Sequence, residues 1–219
     1  NTPPEIGSLV LSPSEATSQD TIECIASEIT DLDEDEVTIF YSWSIDGTDM
    51  ENDTATIEGP FAVGAEIVCV ATPNDGMVDG QAMSASTTIQ NTDPEISSVS
   101  ITPSTDVEAN TMLLCEQVSA DIDGGDLSVS YAWTDGDGNT LGSDANLQLD
   151  PASNSVGDSI TCTVTVLDEH GASVSQSESV SIINTYPSID AAASISGTAT
   201  TGSTLTCSAA FSDLNDGTL

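Results

Sequence analysis

Ile160-Thr161-Cys162-Thr163-Val164-Thr165-Val166-Leu167-Asp168-Glu169-His170-Gly171 reads as one β-strand running into a turn. β-Branched residues fill the first part and alternate with partners on the other face, which suits a pleated, half-buried strand. Asp168 to Gly171 supplies turn residues. Working outward, Thr21-Ile22-Glu23-Cys24-Ile25, Thr38-Ile39-Phe40-Tyr41-Ser42-Trp43 and Ile67-Val68-Cys69-Val70 read as strands too. Pro73-Asn74-Asp75-Gly76 marks another turn. No amphipathic helical stretch of useful length occurs, and short strands separated by such turns predict a β-sandwich.

The strands recur in a fixed order. Asn-Thr-x-Pro stands at Asn1-Thr2-Pro3-Pro4, Asn91-Thr92-Asp93-Pro94 and Asn184-Thr185-Tyr186-Pro187, a step of 90 residues (1 to 91) and then 93 (91 to 184). A cysteine follows each marker Asn after 23, 24 and 23 residues, at Cys24, Cys115 and Cys207. Acidic clusters come next: Asp31-Leu32-Asp33-Glu34-Asp35, Asp121-Ile122-Asp123-Gly124-Gly125-Asp126 and Asp213-Leu214-Asn215-Asp216. Tyr41-Ser42-Trp43 and Tyr131-Ala132-Trp133 follow in the first two copies, which close at Cys69 and Cys162. Four landmarks in one order define tandem repeats at 1–90 and 91–183, and the N-terminal part of a third at 184–219.

The charge balance limits the partners. The 219 residues hold no Lys or Arg, 37 Asp plus Glu and one His, for a formal net charge of −37. No acidic side chain can find a basic one, so the carboxylates must repel, bind water or bind cations from solution. Nucleic acid is excluded as a partner, because phosphate binding needs Lys and Arg. Direct binding to anionic membrane lipid is disfavoured for the same reason. High net charge can also mean disorder. Here 37% of residues are apolar and fall in alternating runs, so a folded chain is expected. Its stability should rise with salt as screening relieves self-repulsion.

None of the five cysteines sits in a CxxC pair or near a His cluster, so zinc and haem are poor readings. Their spacing suits a disulfide framework and therefore an oxidising, extracellular or cell-surface location. Neither a signal peptide nor a transmembrane run is present. The sequence starts inside a pattern, which reads as processing or excision.

Cys24…Trp43…Cys69 and Cys115…Trp133…Cys162 resemble the immunoglobulin pattern, in which a disulfide crosses two sheets and a Trp packs on it. The second repeat is also similar to a PKD (polycystic kidney disease) domain. Its Trp133-Thr134-Asp135-Gly136-Asp137-Gly138 matches that family's W-x-x-G-D-G, and Val164 to Gly171 its closing hairpin. Two departures stand out. Ile67 and Ile160 occupy the position of the tyrosine corner, and repeat one has Trp43-Ser44-Ile45-Asp46-Gly47 instead of the PKD signature. The resemblance, to bacterial-type Ig/PKD-like repeats of large surface proteins, runs from Asn1 to Leu219 at fold level. It implies an all-β chain of tandem immunoglobulin-like (PKD-like) β-sandwich domains, each with an inter-sheet disulfide.

The pairs implied are Cys24–Cys69 and Cys115–Cys162. A disulfide closing a loop of about 45 residues adds about 3–4 kcal/mol in the chain-entropy model, comparable to much of a small domain's net stability. Cys207 is left with a partner outside the chain. Either the natural protein continues, or the two-strand remnant docks on a neighbouring molecule's sheet edge.

The acidic clusters are the candidate metal sites: Asp31, Asp33 and Asp35; Asp121, Asp123 and Asp126; Asp213, Asn215 and Asp216. Each puts several hard oxygens on one short loop, as calcium requires. The loops lie at one sandwich end, where the resemblance to calcium-rigidified surface repeats implies an ion that stiffens the junction. The competing reading is a solvated acidic turn. No organic cofactor is implied.

Catalysis has little support. His170 sits in a hairpin turn, and no G-x-S-x-G nucleophile elbow is present. A carboxylate pair could serve a glycosidase, but such clefts want aromatics, which are 4% of the chain. Trp43 and Trp133 read as core, and Asn52-Asp53-Thr54 as an isolated sequon match. The expected function is a structural repeat segment of an extracellular filament, sheath or stalk, whose partners are other copies or neighbouring repeats. The alternative is an adhesin module recognising a partner cell or glycan through its end loops.

Overall fold

The computed structural model describes residues 1–213 and 217–218, and every regular element among them is a β-strand. The chain forms two compact units. The first holds Asn1–Pro94 with the short segments Asp121–Asp126 and Asp168–Ala172, and the second holds Glu95–Ala120, Leu127–Leu167 and the chain from Ser173 onward.

The first unit contains β1 (Glu5–Ser12), β2 (Thr21–Thr30), β3 (Thr38–Ile45), β4 (Thr48–Met50), β5 (Thr56–Glu58), β6 (Glu66–Asn74) and β7 (Met83–Thr88). They form two antiparallel sheets, ordered β1-β2-β5 and β4-β3-β6-β7. Alternation along β6 buries Ile67, Cys69 and Ala71 and turns Val68 and Val70 outward. Ile67 and Cys69 join Ile22, Cys24 and Trp43 in one apolar layer between the sheets. The Cys24–Cys69 disulfide ties β2 to β6 and therefore one sheet to the other. Strand β6 extends through Pro73 and Asn74, past the expected start of the turn. The Pro73 carbonyl accepts the Gly80 N–H at 2.7 Å.

The second unit repeats the plan with β8 (Glu95–Thr102), β9 (Met112–Ala120), β10 (Ser128–Thr134), β11 (Thr140–Gly142), β12 (Asn146–Gln148), β13 (Ser159–Leu167) and β14 (Ser173–Ser181). Its sheets are β12-β9-β8 and β11-β10-β13-β14, joined by Cys115–Cys162. Trp133 lies opposite Cys162 as Trp43 lies opposite Cys69, and both rings are buried. The immunoglobulin-like sandwich with an inter-sheet disulfide, and both expected pairings, are therefore present.

Beyond this sandwich, β15 (Ser188–Ser196), β16 (Thr206–Asp213) and β17 (Gly217–Thr218) form a sheet in that order. Cys207 on β16 is a free thiol and exposed.

Candidate functional site at the acidic loops

Three segments converge at one end of the first sandwich: the N-terminal Asn-Thr marker, the β2–β3 loop and the β6–β7 loop. Asp75 follows β6 and is 8% exposed. It accepts from Asn1 Nδ2 at 2.7 Å, Met77 N at 2.7 Å and Val78 N at 2.8 Å. Asp33, in the β2–β3 loop, accepts the Thr2 backbone N–H at 2.5 Å, and Asp31 Oδ1 accepts the Asp33 N–H at 2.8 Å. The marker is thus stitched to both loops of its own repeat.

The second copy reproduces this, with all its residues in the first compact unit. Asp168 is 5% exposed and accepts from Asn91 Nδ2 at 2.8 Å, His170 N at 2.9 Å and Ala172 N at 2.8 Å. Asp123 accepts the Thr92 N–H at 2.5 Å, and Asp121 Oδ1 accepts the Asp123 N–H at 2.8 Å. In the third copy Thr185 Oγ1 donates to Asp213 Oδ1 at 3.1 Å, whereas Asn215 and Asp216 lie outside the described residues.

Donor geometry sets the electrostatics. The Asn1 amide, then the backbone N–H of Val78, hold the Asp75 carboxyl below its ordinary value despite burial. The Asn91 amide is the largest influence lowering Asp168, with the Ala172 and His170 N–H groups adding to it. With no Lys or Arg in the protein, dipoles replace ion pairs as partners of the buried carboxylates.

The first acidic triad is compact. Oxygens of Asp31, Asp33 and Asp35 lie within 4.8 Å of one another, the one such group of three among the described residues. Asp31 Oδ2 is buried with no hydrogen-bond partner, while Oδ1 is occupied by the N–H groups of Asp33 and Asp35. Asp121, Asp123 and Asp126 do not gather in this way. An extra glycine separates Asp126 from the other two, and Gly124 and Gly125 both take positive φ.

Asp75 and Asp168 are the residues that reading the sequence for function missed. Each stands six residues after its closing cysteine (69 to 75, 162 to 168), a register that could have marked them as a further landmark. The remaining candidates have structural work. Trp43 Nε1 donates to Thr54 O at 2.8 Å and Trp133 Nε1 to Asp144 O at 2.9 Å. Asp135, in the PKD-like stretch, closes its own turn by accepting from Asp137 and Asn139. Asn52 folds back on Thr54 and Thr56. His170 is exposed at the tip of its turn.

No family model matches the chain. No curated protein matches it either. Among solved structures, the three N-terminal domains of the bacteriophage RB49 Highly Immunogenic Outer Capsid protein align at 16% identity and a TM-score of 0.33, over 95% of this chain and 70% of that one. Sidekick-1 immunoglobulin domains 1-4 align at 14% identity and a TM-score of 0.36, over 84% of this chain and 49% of that one. Mouse Cadherin-23 EC22-24 aligns at 13% identity and a TM-score of 0.31, over 99% of this chain and 80% of that one. The chain thus spans about half the length of the Sidekick-1 segment it matches. Likeness at this level says nothing of ligand or activity, and the fold assignment rests on the strand order and disulfides above.

Proposed function

We propose that the chain is a non-catalytic structural repeat segment of an extracellular surface filament, sheath or stalk, with repeats at 1–90, 91–183 and 184–219. The observation that carries this reading is the duplicated stitching of Asn-Thr markers to end loops, Asn1 to Asp75 and Asn91 to Asp168, Thr2 to Asp33 and Thr92 to Asp123. A spacer needs the same end in every copy. A recognition module needs one copy whose loop departs from the rest.

Calcium belongs to the same reading. Asp31, Asp33 and Asp35 would hold it, because they offer clustered hard oxygens and the Asp31 Oδ2 atom is without another partner. Three loop carboxylates fall short of the six to eight oxygens calcium takes, so water would complete the shell. The ion would neutralise local repulsion and brace the β2–β3 loop against the Thr2 segment.

Electron microscopy of the native, unreduced protein in calcium buffer tests the assembly. Filaments, a sheath or stalks with a regular repeat are expected, and dispersed particles without any periodicity would sink the proposal. For the ion, EDTA should lower Tm at fixed ionic strength, and an unchanged Tm removes calcium from the reading.

A further inference from the structure

Strand β14 reads almost the same in both directions: Ser173-Val174-Ser175-Gln176-Ser177-Glu178-Ser179-Val180-Ser181. About Ser177 every serine and valine has its mirror, and Gln176 mirrors Glu178. The strand also closes the sheet β11-β10-β13-β14, so one side of its backbone has no neighbouring strand. At nine residues it is the longest edge strand of either sandwich. Its pairing with β13 is regular from Ser173 to Ser181, with no bulge to twist the edge away, and it holds no proline. An open groove of about 410 Å³ separates Glu178, Ser179 and Val180 from Val99 to Thr102 of β8, which leaves the edge accessible. Beyond Ser181 the edge is taken by Val107, whose carbonyl accepts the Ile183 N–H at 2.8 Å.

We infer that β14 pairs antiparallel with β14 of a second copy of the chain, about a two-fold axis at Ser177. Such an axis makes each residue meet its own mirror, and a palindromic strand suits that isologous contact. In this register Ser173 faces Ser181 of the other copy, Ser175 faces Ser179, and Val174 faces Val180. Gln176 faces Glu178 twice, once on each side of the axis. The amide donates to the carboxylate there, as Asn91 does to Asp168 within one chain. Sliding the pair by two residues sets Glu178 against Glu178 or against Val174. Sliding it by one turns core-facing residues toward solvent. The sequence of the strand therefore selects one register.

Charge favours the same edge. Glu178 is the one charged residue of β14, in a protein with 37 Asp plus Glu. On the outer face Ser175, Ser177 and Ser179 bond to Thr165, Thr163 and Thr161 within 2.9 Å, so hydroxyls rather than carboxylates flank the seam. Main-chain hydrogen bonds hold the two edges together, and the side-chain symmetry chooses the partner. The matching edge strand of the first repeat, β7, reads Met83-Ser84-Ala85-Ser86-Thr87-Thr88 and has no such mirror. Its Thr87 Oγ1 is tied back to Ser14 O at 2.9 Å. The second repeat therefore pairs and the first does not. One strand pair falls well short of the roughly 1,200 Å² of a stable interface, so the dimer is weak. It also needs salt, because each chain carries a net charge of −37.

The pairing rests on β14 alone, so its failure would leave the structural-repeat reading intact. The test uses the full chain carrying Cys207→Ser, which removes the free thiol. Salt is held at about 1 M, where the Debye length is about 3 Å. Ser177→Cys sets a thiol against its own copy across the axis, and oxidised glutathione should link it into a covalent dimer. Ser175→Cys and Ser179→Cys should each stay monomeric alone and cross-link when mixed. Sedimentation of the chain without added cysteines should show a dimer that weakens as salt is lowered. Gln176→Glu should raise its Kd about tenfold, because carboxylates then oppose each other twice. Gln81→Glu adds the same charge in the first repeat and should leave Kd unchanged. An unchanged melt of each variant excludes misfolding. Ser177→Cys linking no faster than Ser128→Cys, two strands away on β10, overturns the inference. So does an equal Kd for Gln176→Glu and Gln81→Glu.

Discussion

Asn91 donates its side-chain amide to Asp168 at 2.8 Å across 77 residues of sequence, anchoring a marker at the start of a repeat to the turn near its end. Asn1 and Asp75 hold the same relation at 2.7 Å. In a protein without Lys or Arg this is how a buried carboxylate stays charged.

Asn91→Ala removes the strongest influence on Asp168 and leaves only backbone donors to it. Tm should fall by several degrees, as when one charged-group hydrogen bond is lost from a small domain. Asn91→Asp should cost more, because it sets a second carboxylate against Asp168. Calorimetry of both variants checks the order.

Acid should weaken the same contact. Asp75 and Asp168 are lowered from 3.8 in the folded chain, so their contribution is complete above that value and is lost as pH falls through the lower, folded one. Urea unfolding at pH 6 and near pH 2 should show the wild type and Asn91→Ala converging in acid. A constant gap between them would contradict the assignment.

Ser18 is buried, and its hydroxyl has no partner. Ala109 holds the equivalent place in the second repeat, since Gln90 N bonds Ala16 O as Ile183 N bonds Val107 O. Ser18→Ala should therefore stabilise the first sandwich by about 1 kcal/mol, the penalty of a buried hydroxyl left unpaired. Denaturant midpoints read it directly.

Glu34 takes φ 62° where the second repeat has Gly124 at φ 80°. A side chain resists that region by about 1–2 kcal/mol. Part of the gain from Glu34→Gly is returned as chain entropy, so a net rise of about 0.5–1 kcal/mol is expected. Measuring it in high salt separates backbone strain from the lost charge.

Salt should raise Tm of the whole chain. Raising ionic strength from 0.01 M to 1 M shortens the Debye length from about 30 Å to about 3 Å, which removes most repulsion among exposed carboxylates. Equal melting temperatures at the two extremes would show that self-repulsion is not a significant cost.

Much of the architecture was legible from the sequence. Strands β2, β3, β6 and β13 announced themselves by alternation, and the Cys–Trp–Cys order foretold both disulfides. The three-residue strands β4, β5, β11 and β12 did not, because three residues are too few to show a period of two. The acidic triads looked alike, yet Asp31, Asp33 and Asp35 gather while Asp121, Asp123 and Asp126 do not. One inserted glycine changes where the last carboxylate lands.

The all-β fold and the lack of any Lys or Arg to pair with the carboxylates were set by residue types and spacing alone, since each follows from local preference or from composition. Which carboxylates are buried was not. Asp75 and Asp168 look like ordinary turn residues until folding brings an amide from 74 or 77 positions away. A carboxylate's environment depends on which donors surround it in space, and only the tertiary structure assembles those.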